Sequence, residues 1–334
     1  MLDTPLMIGG QAVIEGVMMR GPQGYAISVR KNDGTITTAV TPLQPLTKRI
    51  PSLNIPVLRG AASLIEMLTV GIKSLEFSAN EFEEDNGSEK DKKAPNAKQS
   101  RFALAVTIII SVLIGILLFV VAPNLATHFA GKLTGQSTRP LLEEKAPVVY
   151  NLISGAIRVF IIVGYIWVIS LMNDVRRLFS YHGAEHKTVS AFEAGQELTV
   201  DNVRPHSTLH PRCGTTFIAI VLIISIIIFA FFARALVFVW PGFSDLSFPA
   251  RKAILITGHI LIMPVVAGVC FELLRLGAKY GGNFMMRAFI TPGFWFQRLT
   301  TREPDDSMLE VAITALKSAL AIGHAPEGNQ ATDG

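Results

Sequence analysis

The stretch FIAIVLIISIIIFAFFARALVFVW, residues 217–240, decides the class of this protein. It carries a single charged residue, Arg234, and is followed by Pro241. A helix that crosses the hydrocarbon core of a bilayer needs roughly 20 mostly apolar residues. The stretch meets that requirement, so the sequence predicts an integral membrane protein.

The composition of the whole chain agrees with this prediction. Of 334 residues, 50% are apolar and 17% are charged, and the mean hydropathy is +0.42. A soluble domain usually carries about 25% charged residues. The two cysteines give no disulfide framework. The formal charge of +4 is modest and no basic tract alternates with aromatic residues, so we expect the lipid bilayer as a partner and no nucleic acid.

Three further stretches are long and apolar enough to cross a bilayer. They are residues 102–122, which end at Pro123, and the somewhat more polar stretches 148–172 and 253–276. Together with 217–240 they predict a mainly α fold, a polytopic membrane bundle of four spanning helices.

The basic residues of the loops predict the orientation of the bundle. Lys and Arg are frequent in 90–101, 173–213 and 275–302, and fewer in 123–147 and 241–252. Cytoplasmic loops carry the excess of Lys and Arg in membrane proteins. We therefore expect a multi-pass membrane protein with both termini and the 173–213 segment in the cytoplasm.

The segments outside the spans differ in character. YAISVR and TITTAV, separated by Asn32-Asp33-Gly34, are typical of a β-hairpin. The predicted organisation is a β-rich cytoplasmic N-terminal unit (1–55), an amphipathic or membrane-associated helix (56–80), a charged linker (81–100), the membrane domain (101–282) with its His/Cys loop (173–213), a cytoplasmic C-terminal segment ending in an amphipathic helix (283–322) and a disordered tail (323–334).

The chemistry-bearing motif is YHGAEHKTV, residues 181–189. His182 and His186 are four residues apart, so on a helix both imidazoles lie on one face and can share a metal ion. Glu185 stands beside them, in the H-x-x-E-H order of a group of zinc proteases. In that pattern the histidines bind the metal and the glutamate moves protons.

A second pair of ligand types follows in HPRCG, where His210 and Cys213 have H-x-x-C spacing. With His182 and His186 they form a candidate four-ligand set, for which zinc is the best-suited metal. Glu193 is a further candidate, as a ligand or as an acceptor that orients an imidazole. Two readings remain open: a site with all four ligands filled would be structural, and without a metal the histidines would only hydrogen-bond an interfacial helix.

Several long blocks of the chain resemble one family. GGQAVIEGVMMRGP (9–22), RGAASLIEMLTVGIKSLEFSA (59–79), YHGAEHKTV, HPRCGTTF (210–217) and FQRLTTREPDD (296–306) resemble the YqhQ-like bacterial membrane proteins, an uncharacterised group described as predicted metal-dependent enzymes. The resemblance implies a protein of the bacterial inner (plasma) membrane and a metal-dependent enzyme whose metal would lie at these His and Cys positions.

The same resemblance draws attention to Glu15 and Arg20 in VIEGVMMRG. One interpretation is that this segment docks near the histidines and supplies Glu15 as an additional ligand or proton carrier. The other, which we favour, is a Glu15–Arg20 ion pair that supports a turn.

Three functions are consistent with these observations. The first is a metal-dependent membrane enzyme, a hydrolase of an amide, ester or phosphoester bond, with Glu185 as general base. The second is a non-enzymatic scaffold or assembly factor with a structural metal, which would bind a membrane-protein partner or a second copy of itself. The third, a transporter or channel, is least favoured because the spans show neither an inverted repeat nor a pair of broken helices.

Overall fold

The computed structural model describes residues 8–86, 147–279 and 284–322, with isolated positions between 106 and 126. Three of its helices contain segments long and apolar enough to cross a membrane, Leu152–Ile169, Gly214–Val239 and Ala253–Gly277. They confirm the last three predicted spans. The first predicted span, 102–122, falls largely outside the described residues, so the described chain gives three spans where the sequence predicts four.

The N-terminal unit is an antiparallel sheet with the strand order β1-β2-β3-β4. Its strands are β1 (Gly9–Val13), β2 (Gly16–Arg20), β3 (Gly24–Arg30) and β4 (Ile36–Pro42). The predicted hairpin is β3 and β4, and its turn contains Gly34 at a φ of +86°. The glycine-rich and methionine-rich stretch before it forms a second hairpin, β1 and β2.

Successive residues of the strands face two different layers, as the pleat requires. Val17 and Met19 of β2 join one hydrophobic cluster, whereas Met18 between them joins the other. Because helices pack on both faces, every residue of the two central strands is buried except Arg20 and Arg30 at their ends.

Seven helices of two or more turns are described. They are α1 (Leu58–Asn86), α2 (Pro147–Ile169), α3 (Asn173–Glu193), α4 (Gly214–Val239), α5 (Phe248–Lys279), α6 (Phe284–Thr300) and α7 (Asp306–Ala321). Short helical turns lie at Leu46–Arg49, Pro51–Leu53, Val200–Val203 and Pro241–Asp245.

Helix α7 is the predicted amphipathic C-terminal helix. Leu309, Ile313 and Leu316 of its apolar stripe are buried, whereas Glu310 and Lys317 are exposed. It packs on β2, β3 and α3, while α1 packs on the opposite face of the sheet. The C-terminal helix is therefore a core element of the unit that the sequence assigns to the N-terminus.

The contacts divide the chain into two compact units. The first contains the described parts of Met1–Gly87, Ile169–Ala219 and Ala267–Gly334, and the second those of Ser88–Val168 and Ile220–Val266. Within the second unit, the His259 ring stacks on Phe229 with their centroids 4.1 Å apart. All candidate site residues belong to the first unit.

Candidate metal centre

Helix α3 carries the predicted H-x-x-E-H motif as a separate element. The helix of the second span ends at Ile169, and α3 begins at Asn173 after Met172 in extended conformation. The motif therefore does not continue the spanning helix, although His182 and His186 do lie one turn apart on one helix. The middle of α3 is buried because it packs against β1, β2 and α7.

Two imidazoles and a thiol come together beside α3. One ligand atom from each of His182, His186 and Cys213 lies within 4.8 Å of the other two. The Nε2 atom of His182 is 3.2 Å from the Cys213 sulfur, and the two imidazole centroids are 4.4 Å apart. Cys213 directly precedes α4, so the cluster adjoins the first residue of a segment that is long and apolar enough to cross a membrane.

Backbone carbonyls orient both imidazoles. The Nδ1–H of His182 donates to the Thr300 carbonyl at 2.8 Å, and that of His186 donates to the Thr208 carbonyl at 2.5 Å. A proton on Nδ1 leaves a lone pair on Nε2, and the Nε2 atoms face the shared centre. This is the tautomer and orientation that metal-binding histidines require.

The Nε2 atom of His186 differs from the other polar atoms of the cluster. It is buried and has no hydrogen-bond partner among the described residues. The nearest charged atom is Oε2 of Glu185 at 3.4 Å, outside hydrogen-bond geometry and itself an acceptor. A lone pair and a carboxylate oxygen this close repel each other unless a proton or a metal cation lies between them.

One spacing within the cluster, that between His182 Nε2 and the Cys213 sulfur, can be compared with the geometry of a zinc site. Zinc bonds of about 2.0–2.1 Å to nitrogen and 2.3 Å to sulfur in a tetrahedron place ligand atoms about 3.3–3.6 Å apart. The observed spacing between His182 and Cys213 is close to that. Three protein ligands leave a fourth position open, which distinguishes catalytic from structural zinc sites.

His210 and Glu193 form a separate polar group next to the cluster. The Nε2 of His210 is 3.3 Å from Glu193 Oε2, and its Nδ1 accepts from the backbone N–H of Arg212. Both ring nitrogens are thereby occupied, and the ring centroid is 5.9 Å from that of His186. The structure therefore brings together three of the four predicted ligands and places His210 beside them.

Burial sets the charges of this group. Burial lowers the pKa of His210, and the Glu185 carboxylate only partly opposes that shift. Arg212, whose pKa burial also lowers, forms an ion pair with Glu193. His210 is therefore a neutral imidazole that donates to a carboxylate, a role suited to support of the cluster.

Gln297 fixes the backbone of the His210 segment and was not predicted. Its side chain is fully buried; Oε1 accepts from the His210 N–H at 2.9 Å, and Nε2 donates to the His210 carbonyl at 2.7 Å and to Thr216. An amide that pairs with both backbone groups of one residue holds it in register. The signal available in the sequence was its position in the block FQRLTTREPDD, which carries the family resemblance.

Glu15 lies in the turn between β1 and β2, at a φ of +52°. Its carboxylate pairs with Arg177 and is 3.4 Å from the Tyr181 hydroxyl. Arg20 pairs instead with Glu66, so the predicted Glu15–Arg20 ion pair is wrong. The carboxylate raises the pKa of Arg177 through its hydrogen bond and docks the hairpin on α3 one turn before His182.

Two glycines permit the close packing around the motif. A Cβ at Gly10 of β1 would lie 2.8 Å from Glu185 Cγ. A Cβ at Gly183 would collide with the Arg302 carbonyl and lie 3.2 Å from the Thr208 side chain. Gly183 thus allows the two segments whose carbonyls orient the imidazoles to pack against α3. Gly10 shows that the N-terminal GGQAVIEG segment does reach the motif.

Two comparisons with known proteins give matches. A family profile described as "Protein of unknown function (DUF1385)" matches residues 55–322. The chain is 32% identical over 336 residues to the "Uncharacterized protein YqhQ" of Bacillus subtilis (strain 168), in an alignment that covers 98% of this chain and 96% of that protein. No solved structure gives a significant match.

Proposed function

The chain belongs to the YqhQ-like DUF1385 family, and from the side chains that it places together we propose that it is a metal-dependent membrane hydrolase. His182, His186 and Cys213 would hold the metal, for which zinc suits mixed imidazole and thiolate ligands best. The observation that carries the proposal is the buried, unpaired Nε2 of His186, aimed at the same centre as the other two ligands.

A zinc ion in this set would act as a Lewis acid and acidify a water in its open position. Glu185 is the group that would take the proton from that water, since its carboxylate lies 3.4 Å from the His186 ligand atom. As the water oxygen bonds to the substrate carbonyl or phosphoryl centre and the scissile bond breaks, Glu185 would pass the proton to the leaving group. Amide, ester and phosphoester bonds can all be hydrolysed by this transfer of a proton from water to the leaving group.

The experiment compares metal content and turnover in two variants. Purified wild-type protein should contain about one zinc per chain by elemental analysis, and a His182→Ala/His186→Ala variant none. Glu185→Gln should retain the zinc but lose hydrolysis of every member of a panel of chromogenic amides, esters and phosphoesters that the wild type cleaves. Hydrolysis by the Glu185→Gln variant at the wild-type rate would overturn the assignment of the general base.

A second function is favoured by the depth of the cluster. His186, Cys213 and Glu185 are 1%, 7% and 5% exposed, and the motif helix packs in the core of its unit. A structural metal that fixes a membrane scaffold or assembly factor would have this environment. Zinc that chelators remove only after the protein unfolds, together with no turnover on the panel, would favour the scaffold over the hydrolase.

A further inference from the structure

The N-terminal end of α1 is held against a membrane-spanning helix. Gly60 packs so closely on α5 that a Cβ there would lie 2.8 Å from Phe271 Cβ and 2.9 Å from Gly268 Cα. Both residues belong to the span Ala253–Gly277, and Gly268 precedes its last residue by about 13 Å of helix axis. The first turns of α1 therefore start beside a segment that lies in the bilayer.

An ion pair and a strained residue fix this contact. The Arg59 guanidinium binds both carboxylate oxygens of Glu272, with Nε at 2.5 Å from Oε1. Val57, which packs on Gly268, has a φ of +71°, a conformation that β-branched residues rarely adopt. Such strain persists only where the surroundings determine the backbone, so the start of α1 is seated firmly on α5.

The face of α1 turned away from the sheet is apolar, and it is exposed in the part of the chain that the structure describes. Ile65, Leu68 and Ile72 are 61%, 58% and 66% exposed. They follow the helical spacing of three and four residues, and Leu58 continues the stripe toward the contact with α5. Single exposed apolar residues are ordinary, but a continuous stripe that begins at a spanning helix needs a covering surface.

Charged residues are few within this stripe and frequent at its two ends. Within residues 50–72 the only charged side chains are Arg59 and Glu66, and both are in ion pairs. Exposed basic residues flank the stretch, with Lys48 and Arg49 before it and Lys73 after it. Basic residues at the ends of an apolar segment favour the headgroup layer.

We propose that residues 58–72 of α1 insert into the leaflet in which the span Ala253–Gly277 ends, with Leu58, Ile65, Leu68 and Ile72 against the acyl chains. The segment is helical, so its backbone is hydrogen-bonded internally as the hydrocarbon layer demands, and the Thr69 hydroxyl donates to the Ile65 carbonyl. The helix emerges near Lys73 and continues over the sheet. There the Ser78 hydroxyl accepts a hydrogen bond from the Ile14 N–H.

The test measures the surroundings of spin labels in the full chain. Ile65→Cys and Ile72→Cys are labelled with a nitroxide in vesicles of phosphatidylethanolamine and phosphatidylglycerol, and Glu83→Cys, exposed on the same helix beyond Lys73, is the matched control. The two native cysteines are buried, and their signal is measured on the unsubstituted chain. Circular dichroism spectra and gel-filtration elution equal to those of the unsubstituted chain show that each variant is folded, whether or not the protein binds a metal.

Power-saturation electron paramagnetic resonance measures how often each label collides with molecular oxygen and with a water-soluble nickel chelate. The labels at positions 65 and 72 should be more accessible to oxygen than to nickel, and the label at position 83 more accessible to nickel. Greater accessibility to nickel at position 65 would overturn the proposal, because it places the stripe in water. Low accessibility to both reagents, with dipolar broadening between labels on different molecules, would also overturn it. That result would show that a second copy of the chain covers the stripe, which the alternating spacing of three and four also suits.

Discussion

At the scale of single residues, the candidate metal centre depends on two carbonyl groups as much as on its ligands. Thr300 and Thr208 each bind the Nδ1–H of one imidazole, and the segments that carry them meet at Gly183. An orienting acceptor of this kind typically changes metal affinity 10–100-fold when it is lost. The residues around the ligands are therefore as testable as the ligands.

We predict that Gly183→Ala weakens zinc binding by about 10–100-fold, because its methyl group displaces the Thr300–Arg302 backbone or Thr208. Competition with a fluorescent zinc chelator measures the affinity. Gly164→Ala is the control: it also lies within a helix, and a Cβ there has open space. Unchanged affinity in the Gly183 variant would show that the carbonyls do not set the ligand geometry.

The sequence predicts some of these residues and not others, for physical reasons. Spacing along a helix places His182 and His186 on one face, and Cys213 is suggested by its ligand chemistry. Whether His210 reaches the same centre depends on the turn before α4, where Gln297 holds its backbone. Main-chain carbonyls such as that of Thr300 leave no trace in a side-chain pattern.

At the scale of elements, α7 is held at its first turn by Asp305. The Asp305 carboxylate accepts from the Met308 N–H at 3.0 Å, and the helix that follows fills the space between the sheet and α3. An N-cap of this kind typically contributes about 1 kcal/mol.

We predict that Asp305→Ala lowers the free energy of unfolding by about 1 kcal/mol, whereas Asp305→Asn, which keeps an acceptor, lowers it by only a few tenths. Urea unfolding in detergent micelles, followed by circular dichroism, measures both. Equal losses in the two variants would mean that the charge of Asp305 matters more than its capping hydrogen bond.

The Arg59–Glu272 ion pair joins α1 to α5, and its loss can be tested by mutation. Arg59→Ala and Glu272→Ala should each destabilise the protein by about 1–3 kcal/mol, because each leaves an unpaired charge at a partly buried contact. The double variant should lose less than the sum of the two. Thermal unfolding of the four proteins in micelles measures the coupling, and additive losses would show that the ion pair contributes nothing.

Helices and strands could be predicted where the sequence has a long apolar run or a clear alternation of apolar and polar residues. The three described spans and the β3–β4 hairpin follow from apolar length and from alternation around Asn32-Asp33-Gly34. Helix α6 was not predicted because Pro292 stands within it. The β1–β2 hairpin was not predicted because its turn uses Glu15 at a positive φ, a position where glycine or asparagine gives the usual signal.

At the scale of the whole molecule, the site belongs to a unit built from three separate parts of the chain. The family resemblance suggested by the sequence blocks is confirmed, and those blocks fall in all three parts. Their co-occurrence could be seen in the sequence. Their assembly around one centre could not, because it depends on contacts between residues hundreds of positions apart.

A ligand that binds only the folded state raises stability by mass action, by about 2.7 kcal/mol at 100 times its Kd. We therefore predict that chelation of zinc lowers the midpoint of thermal unfolding of the wild type but leaves that of His182→Ala/His186→Ala unchanged. Differential scanning calorimetry with and without EDTA measures the shift. An identical shift in both proteins would place the bound metal elsewhere in the chain.

The burial of α7 against the sheet and α3 has a consequence for biosynthesis. The ribosome makes all the described spans before it reaches residues 306–321, so one face of the N-terminal sheet has no covering helix until α7 has been made. Thr300, which orients His182, also follows the described spans in the chain. A chain that stopped before α7 would keep those spans but expose the sheet face that α7 covers, and limited proteolysis of such a truncated chain should cut the strands that are protected in the longer one.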